Sequence, residues 1–174
     1  MTAYLLLGGR CVLAAVFAVS ALAKFRAPRE FASALRAMAV VPERLAGVTA
    51  AAVPVVEVAA GLLVWAPKPI ATWGFVLSGV MFAIFAVVLV SVLRRGLDVS
   101  CSCFGASGVP VSRAHVGRNL VLLGIAGAGL VASAGSSPGD LGATGVVVVL
   151  LVAVFASILI IATDTLVELF STAR

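Results

Sequence analysis

Five runs of apolar residues, separated by short polar connections, organise this chain. They cover residues 4–23, 46–66, 70–93, 116–134 and 141–163. At a rise of ~1.5 Å per residue, about 20 helical residues cross a ~30 Å hydrocarbon core, so each run predicts a transmembrane helix. The third and fifth runs carry no charge. The first is interrupted by Arg10, the second contains Pro54 and Glu57, and the fourth has Arg118 and Asn119 in its first turn. The valines at 146–149 would favour a strand in water. In lipid an open strand leaves its backbone groups unsatisfied, and helix is the prediction.

The spacing changes between the first and second runs. Phe31, Ala34, Leu35, Met38 and Val41 fall on one helical face, with Arg29, Glu30, Ser33 and Arg36 over the remainder. Pro28 suits a first helical position, and Pro42 stops the pattern. A short amphipathic helix lying in the membrane interface is predicted over 29–41. The first run has a second reading as a secretory signal, because Ala21-Leu22-Ala23 has the look of a small-residue cleavage site. The residues before Arg10 are already apolar and carry no basic n-region, which favours a retained span. The expectation is an all-α, multi-pass transmembrane bundle, forming a single integral membrane domain over 1–174.

Composition agrees. Of 174 residues, 63% are hydrophobic and 11% charged, with a mean hydropathy of +1.24. Soluble domains carry about a quarter charged residues. The net charge of +5 does not indicate nucleic-acid binding, because the basic residues cluster in connections that flank spans. That placement suits orientation and contact with anionic membrane lipids. Lys24, Arg26, Arg29, Arg36, Arg44, Arg94, Arg95, Arg113, Arg118 and Arg174 would share one side, and Lys68 the other. The positive-inside rule then puts the connection 94–115 on the cytoplasmic side of the cell membrane and the N-terminus outside.

That connection holds Cys101 and Cys103, two of the three cysteines. Thiol–disulfide exchange needs one sulfur to attack and a second close enough to resolve the mixed disulfide. A bond between residues i and i+2 closes a small ring, and strain makes a disulfide easier to reduce. Arg94, Arg95, Arg113, His115 and Arg118 could each stabilise a thiolate. Phe104 and Gly105 would shape the turn. Two alternatives stay open: buried structural thiols, or part of a metal site, although two cysteines and one histidine fall short of the usual four zinc ligands. A cytoplasmic pair also stands in tension with the preference of stable disulfides for oxidising compartments. Cys11 reads as a passive buried thiol, and His115 as an interfacial, solvated histidine.

Glu57 is the second candidate site, since a carboxylate within a span normally faces the bundle interior with a partner. Counted from the basic side, Glu57 lies about 11 residues in and Arg10 about 14, a depth difference of ~5 Å. Arg10 is therefore the expected partner, with Lys24 and Arg118 reachable only by side chains bending inward. The pair could transfer protons coupled to thiol chemistry, recognise a polar headgroup, or simply orient the bundle. Gly124-x-x-x-Ala128 and Ala14-x-x-x-Ala18 predict close helix contacts. Trp65 and Trp73 read as interface anchors.

Cys-x-Cys-Phe-Gly at 101–105, followed by Arg118-Asn119, resembles the MauE branch of the MauE/DoxX group of membrane proteins. Ala23-Lys24, Pro28 and Phe31 after the first span, and Pro54, Glu57 and Gly61 in the second, extend the resemblance over residues 4–134. It implies a DoxX-like four-helix bundle plus one C-terminal helix, associated with redox chemistry or protein maturation. It also implies a thioredoxin-like or other membrane protein as partner.

The functional expectation is thus a membrane thiol–disulfide redox or maturation factor. Cys101 and Cys103 would exchange, supported by Phe104, Gly105, Arg118, Asn119, Glu57, Arg10 and Lys24. The competing expectation is a non-catalytic accessory subunit of a larger membrane complex such as a transporter. No cofactor is expected, and no residue demands a quinone.

Overall fold

The computed structural model describes residues 2–97, 99, 111–135 and 142–162. The fold is all-α. The helices are α1 (Thr2–Arg26), α2 (Pro28–Met38), α3 (Ala46–Leu63), α4 (Ile70–Arg94), α5 (Arg113–Gly135) and α6 (Ala143–Ile161). A single 3₁₀ turn, Glu43–Leu45, leads into α3. Five of these are long and apolar enough to cross a membrane, α3 together with its leading turn. Leu62, Val87 and Val131 are each more than two-thirds exposed, at 69%, 69% and 76%. Apolar surface on that scale suits lipid rather than water. The chain is a multi-pass membrane protein.

The first helix is the hub. It packs against α2, α3, α5 and α6, while α4 packs against α3 and α5. Phe17 of α1 stacks on Phe82 of α4, with ring centroids 4.9 Å apart and planes at 11°. Leu6, Leu13, Val16 and Leu122 complete the buried centre around them.

The amphipathic helix forms as its pattern predicts, with Pro28 in its first turn. Phe31, Ala32, Ala34, Leu35 and Met38 are buried, and Arg29, Glu30, Ser33 and Arg36 are exposed. It stops at Met38, short of the predicted 41. Ala39 turns left-handed (φ 50°), and its N–H donates to the Arg36 carbonyl. The apolar face lies on α3, with Phe31, Ala32 and Leu35 clustered around Ala50.

Close helix contacts follow the expected pairs only in part: Ala14 lies against Gly61 of α3, and the tightest approaches fall at glycines outside those pairs. Gly124 and Ala128 face outward, and a Cβ on Gly124 would meet nothing. At Gly74, where α4 leaves the α3–α4 turn, a Cβ would lie 2.6 Å from the Leu63 carbonyl carbon and the Val64 nitrogen. At Gly129 of α5 it would overlap the Phe75 ring. The small-xxx-small spacing marks residues that could be approached. Which side of a helix meets a neighbour is set by the bundle as a whole.

These contacts give an ordered set of expectations for thermal unfolding in detergent. Gly74→Ala should lower stability by about 1–3 kcal/mol, because the new methyl meets backbone. Gly129→Ala should be destabilising on the same scale but relieved by Phe75→Leu. Gly124→Ala, whose methyl meets nothing, should hold the unfolding temperature or raise it slightly, because a mid-helix glycine costs roughly 0.5–1 kcal/mol relative to alanine.

A buried lysine–glutamate site beneath a pinned connection

Glu57 lies on the inner face of α3, one turn after the buried Pro54, and is 1% exposed. Its partner is Lys24, two residues from the end of α1 and 2% exposed. The Lys24 Nζ is 2.8 Å from Glu57 Oε1. Ser20 completes a triangle, its hydroxyl donating to Glu57 Oε1 at 3.0 Å and accepting from Lys24. Ser20 and Lys24 share a face of α1 because they are four residues apart.

Two aromatic rings flank the ammonium. Lys24 Nζ is 5.3 Å from the centroid of Phe31 on α2 and 5.8 Å from that of Phe85 on α4. Both lie within the range in which a cation is attracted to a ring face. One side chain from α1 therefore engages three other helices.

The expected Arg10–Glu57 pair does not form. Gly61 of α3 sits against Ala14 and Phe17 of α1, and Glu57 against Ser20 and Lys24. In this antiparallel register Arg10 is ten residues from Ser20, about 15 Å along α1. It is level with the far end of α3. The depth count assumed that the two helices start from one plane. Instead the first residues of α3 lie level with α2, beyond the end of α1.

Arg118 and Asn119, from the second turn of α5, meet the same site. With Ser20, Lys24, Glu57 and Phe85 they line a cavity of about 20 Å³, large enough for one water molecule. Glu57 Oε2 is buried and makes no hydrogen bond among the described residues. A carboxylate oxygen so placed can accept a hydrogen bond or a proton from a molecule in the cavity. The Asn119 amide donates to the His115 carbonyl at 2.9 Å, within its own helix.

His115 is fully buried rather than solvated. Its Nδ1 accepts from the Ser112 N–H at 3.1 Å and lies 2.9 Å from the Ser112 hydroxyl. The imidazole does what a glutamate does in a capping box, reaching back to the residue before the helix. The spacing Ser112-x-x-His115 carried that signal, just as Ser20-x-x-x-Lys24 carried the triangle.

Cys101, Cys103, Phe104 and Gly105 lie outside the described residues, whereas both roots of their connection lie within them. The helix α4 ends with Gly96 at φ +62°. The Gly96 N–H donates to the Leu93 carbonyl and the Leu97 N–H to the Val92 carbonyl, the two bonds of a Schellman stop. The Val111 N–H then donates to the Val99 carbonyl at 3.0 Å. Val111 is buried with Met38, Leu89 and Val92. Both roots are thus pinned against α2 and α4. Cys11 is half-buried against the central core, on α1.

The energetics of the pair are open to a double-mutant cycle. Lys24→Met or Glu57→Leu alone should destabilise by on the order of 3 kcal/mol, because each leaves an uncompensated buried charge. The double variant should recover most of that loss. Unfolding of all four proteins in one detergent measures it.

The sequence profile described as "Methylamine utilisation protein MauE" matches residues 2–132. The methylamine utilization protein MauE of Paracoccus denitrificans is 38% identical over 122 residues, which is 67% of this chain. The chain spans 63% of the length of that relative. No solved structure matches. The matched stretch includes α1 to α4, nearly all of α5, the Lys24–Glu57 pair and the connection carrying the two cysteines. This chain belongs to the MauE family.

Proposed function

We propose that this protein is a membrane-embedded thiol–disulfide redox factor for protein maturation, with Cys101 and Cys103 as the exchanging pair. The observation that carries the reading is the pinning of their connection. A Schellman stop, a Val99–Val111 bridge and the His115–Ser112 cap fix where the chain leaves α4 and enters α5. Anchored roots bracket the stretch of sequence that carries the two thiols, two residues apart. Exchange proceeds through a mixed disulfide between one of the two sulfurs and a partner cysteine. Formation of a Cys101–Cys103 bond delivers two electrons and two protons to the partner's disulfide, which becomes two thiols. The reverse transfer consumes the same bond.

In this reading Lys24, Glu57, Arg118 and Asn119 are positioning residues. They lock α1, α3 and α5 together and hold the first turns of α5 in place. The same reading assigns a supporting role to Phe104 and Gly105, next to Cys103 in sequence. The name of the Paracoccus relative attaches that protein to methylamine utilisation. By extension we assign this chain to the same kind of system, with a disulfide-bearing protein as its partner. The crowding of arginines around the ends of α1, α4 and α5 supports a plasma-membrane location with this end in the cytoplasm.

Two measurements test the proposal. Membranes carrying Cys101→Ser or Cys103→Ser should accumulate a dithiothreitol-sensitive adduct that the double variant lacks and that persists when Cys11→Ser is added to the single variant. No adduct from either single variant, with maturation unchanged, would sink the redox reading. Stoichiometric co-purification with other subunits, indifferent to both cysteines, would replace it with an accessory role. A membrane-impermeant maleimide should label the pair from the cytoplasmic face only, and labelling from outside reverses the orientation.

A further inference from the structure

Along the last turns of α4 and the first turns of α5 lies an open groove of about 530 Å³. Small-molecule sites fall in the range of ~300–1,000 Å³. Its floor is apolar, built from Ala86, Val87 and Val90 of α4 and Val116 and Leu120 of α5. Ser91, Arg94 and Arg95 form the polar end, and no acidic side chain lines the groove among the described residues. From Ala86 to Arg94 the floor runs about 12 Å along the helix. A long apolar trough therefore ends in two positive charges at the edge of a span.

The two arginines differ in how they are held. Arg95 is fixed, its Nη2 donating to the Met38 carbonyl at 2.7 Å and its Nε to the Ser91 carbonyl at 3.3 Å. Arg94 is exposed and makes no hydrogen bond or ion pair among the described residues. We propose that this groove binds one anionic diacyl phospholipid, its phosphate against Arg94 and Arg95 and an acyl chain along the apolar floor. A neutral lipid would cover the floor and leave the arginines uncompensated. A free phosphate would pair with the arginines and leave the floor uncovered. A second copy docked face to face about a two-fold axis would set these arginines against their own counterparts. Arginines at a helix C-terminus also complement its dipole, so the test must separate lipid binding from that structural effect.

The full chain, purified in a neutral detergent, is titrated with phosphatidylglycerol, with phosphatidylcholine of the same acyl chains, or with glycerol phosphate. Native mass spectrometry and thermal unfolding follow binding. A saturable single-lipid adduct and a rise in unfolding temperature are expected with phosphatidylglycerol alone. Arg94→Gln should weaken this binding about fivefold, the effect of one basic residue at an anionic surface. Val90→Trp, which fills the floor, should abolish the adduct. A purely dipole-related role for Arg94 predicts a lower unfolding temperature without lipid and an unchanged lipid affinity, which would overturn the proposal. Equal binding of phosphatidylcholine, or binding of glycerol phosphate alone, would also overturn it. So would cross-linking of Val87→Cys copies through the groove.

Discussion

A lysine and a glutamate removed from both water and lipid have to meet, because each alone carries a desolvation penalty that the membrane interior does not repay. In this protein that requirement fixes the relative placement of the first and third helices. Lys24 reaches inward from the end of α1 to Glu57 instead of snorkelling to the headgroups, and Ser20 shares the carboxylate oxygen. Phe31 and Phe85 close around the ammonium, so α2 and α4 are drawn to the same point. Arg118 and Asn119 bring α5 to the adjoining cavity. One polar cluster thus ties together five helices whose other surfaces are mostly interchangeable apolar area. Dispersion packing alone distinguishes poorly between rotations of such helices in lipid, whereas an ion pair admits few.

The same end of the bundle is finished by local devices of short range. Gly96 provides the left-handed turn that a Schellman stop needs, and Ala39 accepts that conformation at the end of α2. Arg95 spans from α4 to the last carbonyl of α2. His115 caps the start of α5 through Ser112. These contacts organise the polar rim, while the buried pair organises the interior. The connection with the two cysteines leaves from one of these devices and returns to another. The rim also carries the arginines of the open α4–α5 groove, so among the described residues the ion pair, the caps and that groove share one end of the bundle.

Membership of the MauE family rests on a match over residues 2–132, which stops short of α6. That last helix packs on α1 with little of its surface buried. Its contact with α1 includes the approach of Tyr4 to Gly145, where a Cβ would come within 3.0 Å of the tyrosine oxygen. The lysine–glutamate pair and the roots of the connection are built from α1 to α5 among the described residues.

Much of the architecture was readable from residue order. Span length and hydropathy gave five membrane helices, and the spacing of Phe31, Leu35 and Met38 gave the amphipathic one. These properties are local, since a helix closes its own hydrogen bonds and shows its periodicity in sequence. Glu57 was also legible as a buried charge in need of a partner. The identity of that partner was not. Choosing Lys24 over Arg10 depends on the register between α1 and α3, which Gly61 against Ala14 and Phe17 sets through contacts distant in sequence. The burial of His115 and the outward face of Gly124 have the same origin, for helix rotation and offset follow from packing among all neighbours. Sequence by itself determined which segments are helical and which charges had to be satisfied; only the tertiary structure decided which of them meet, because depth and facing in a bundle are collective properties of its packed helices.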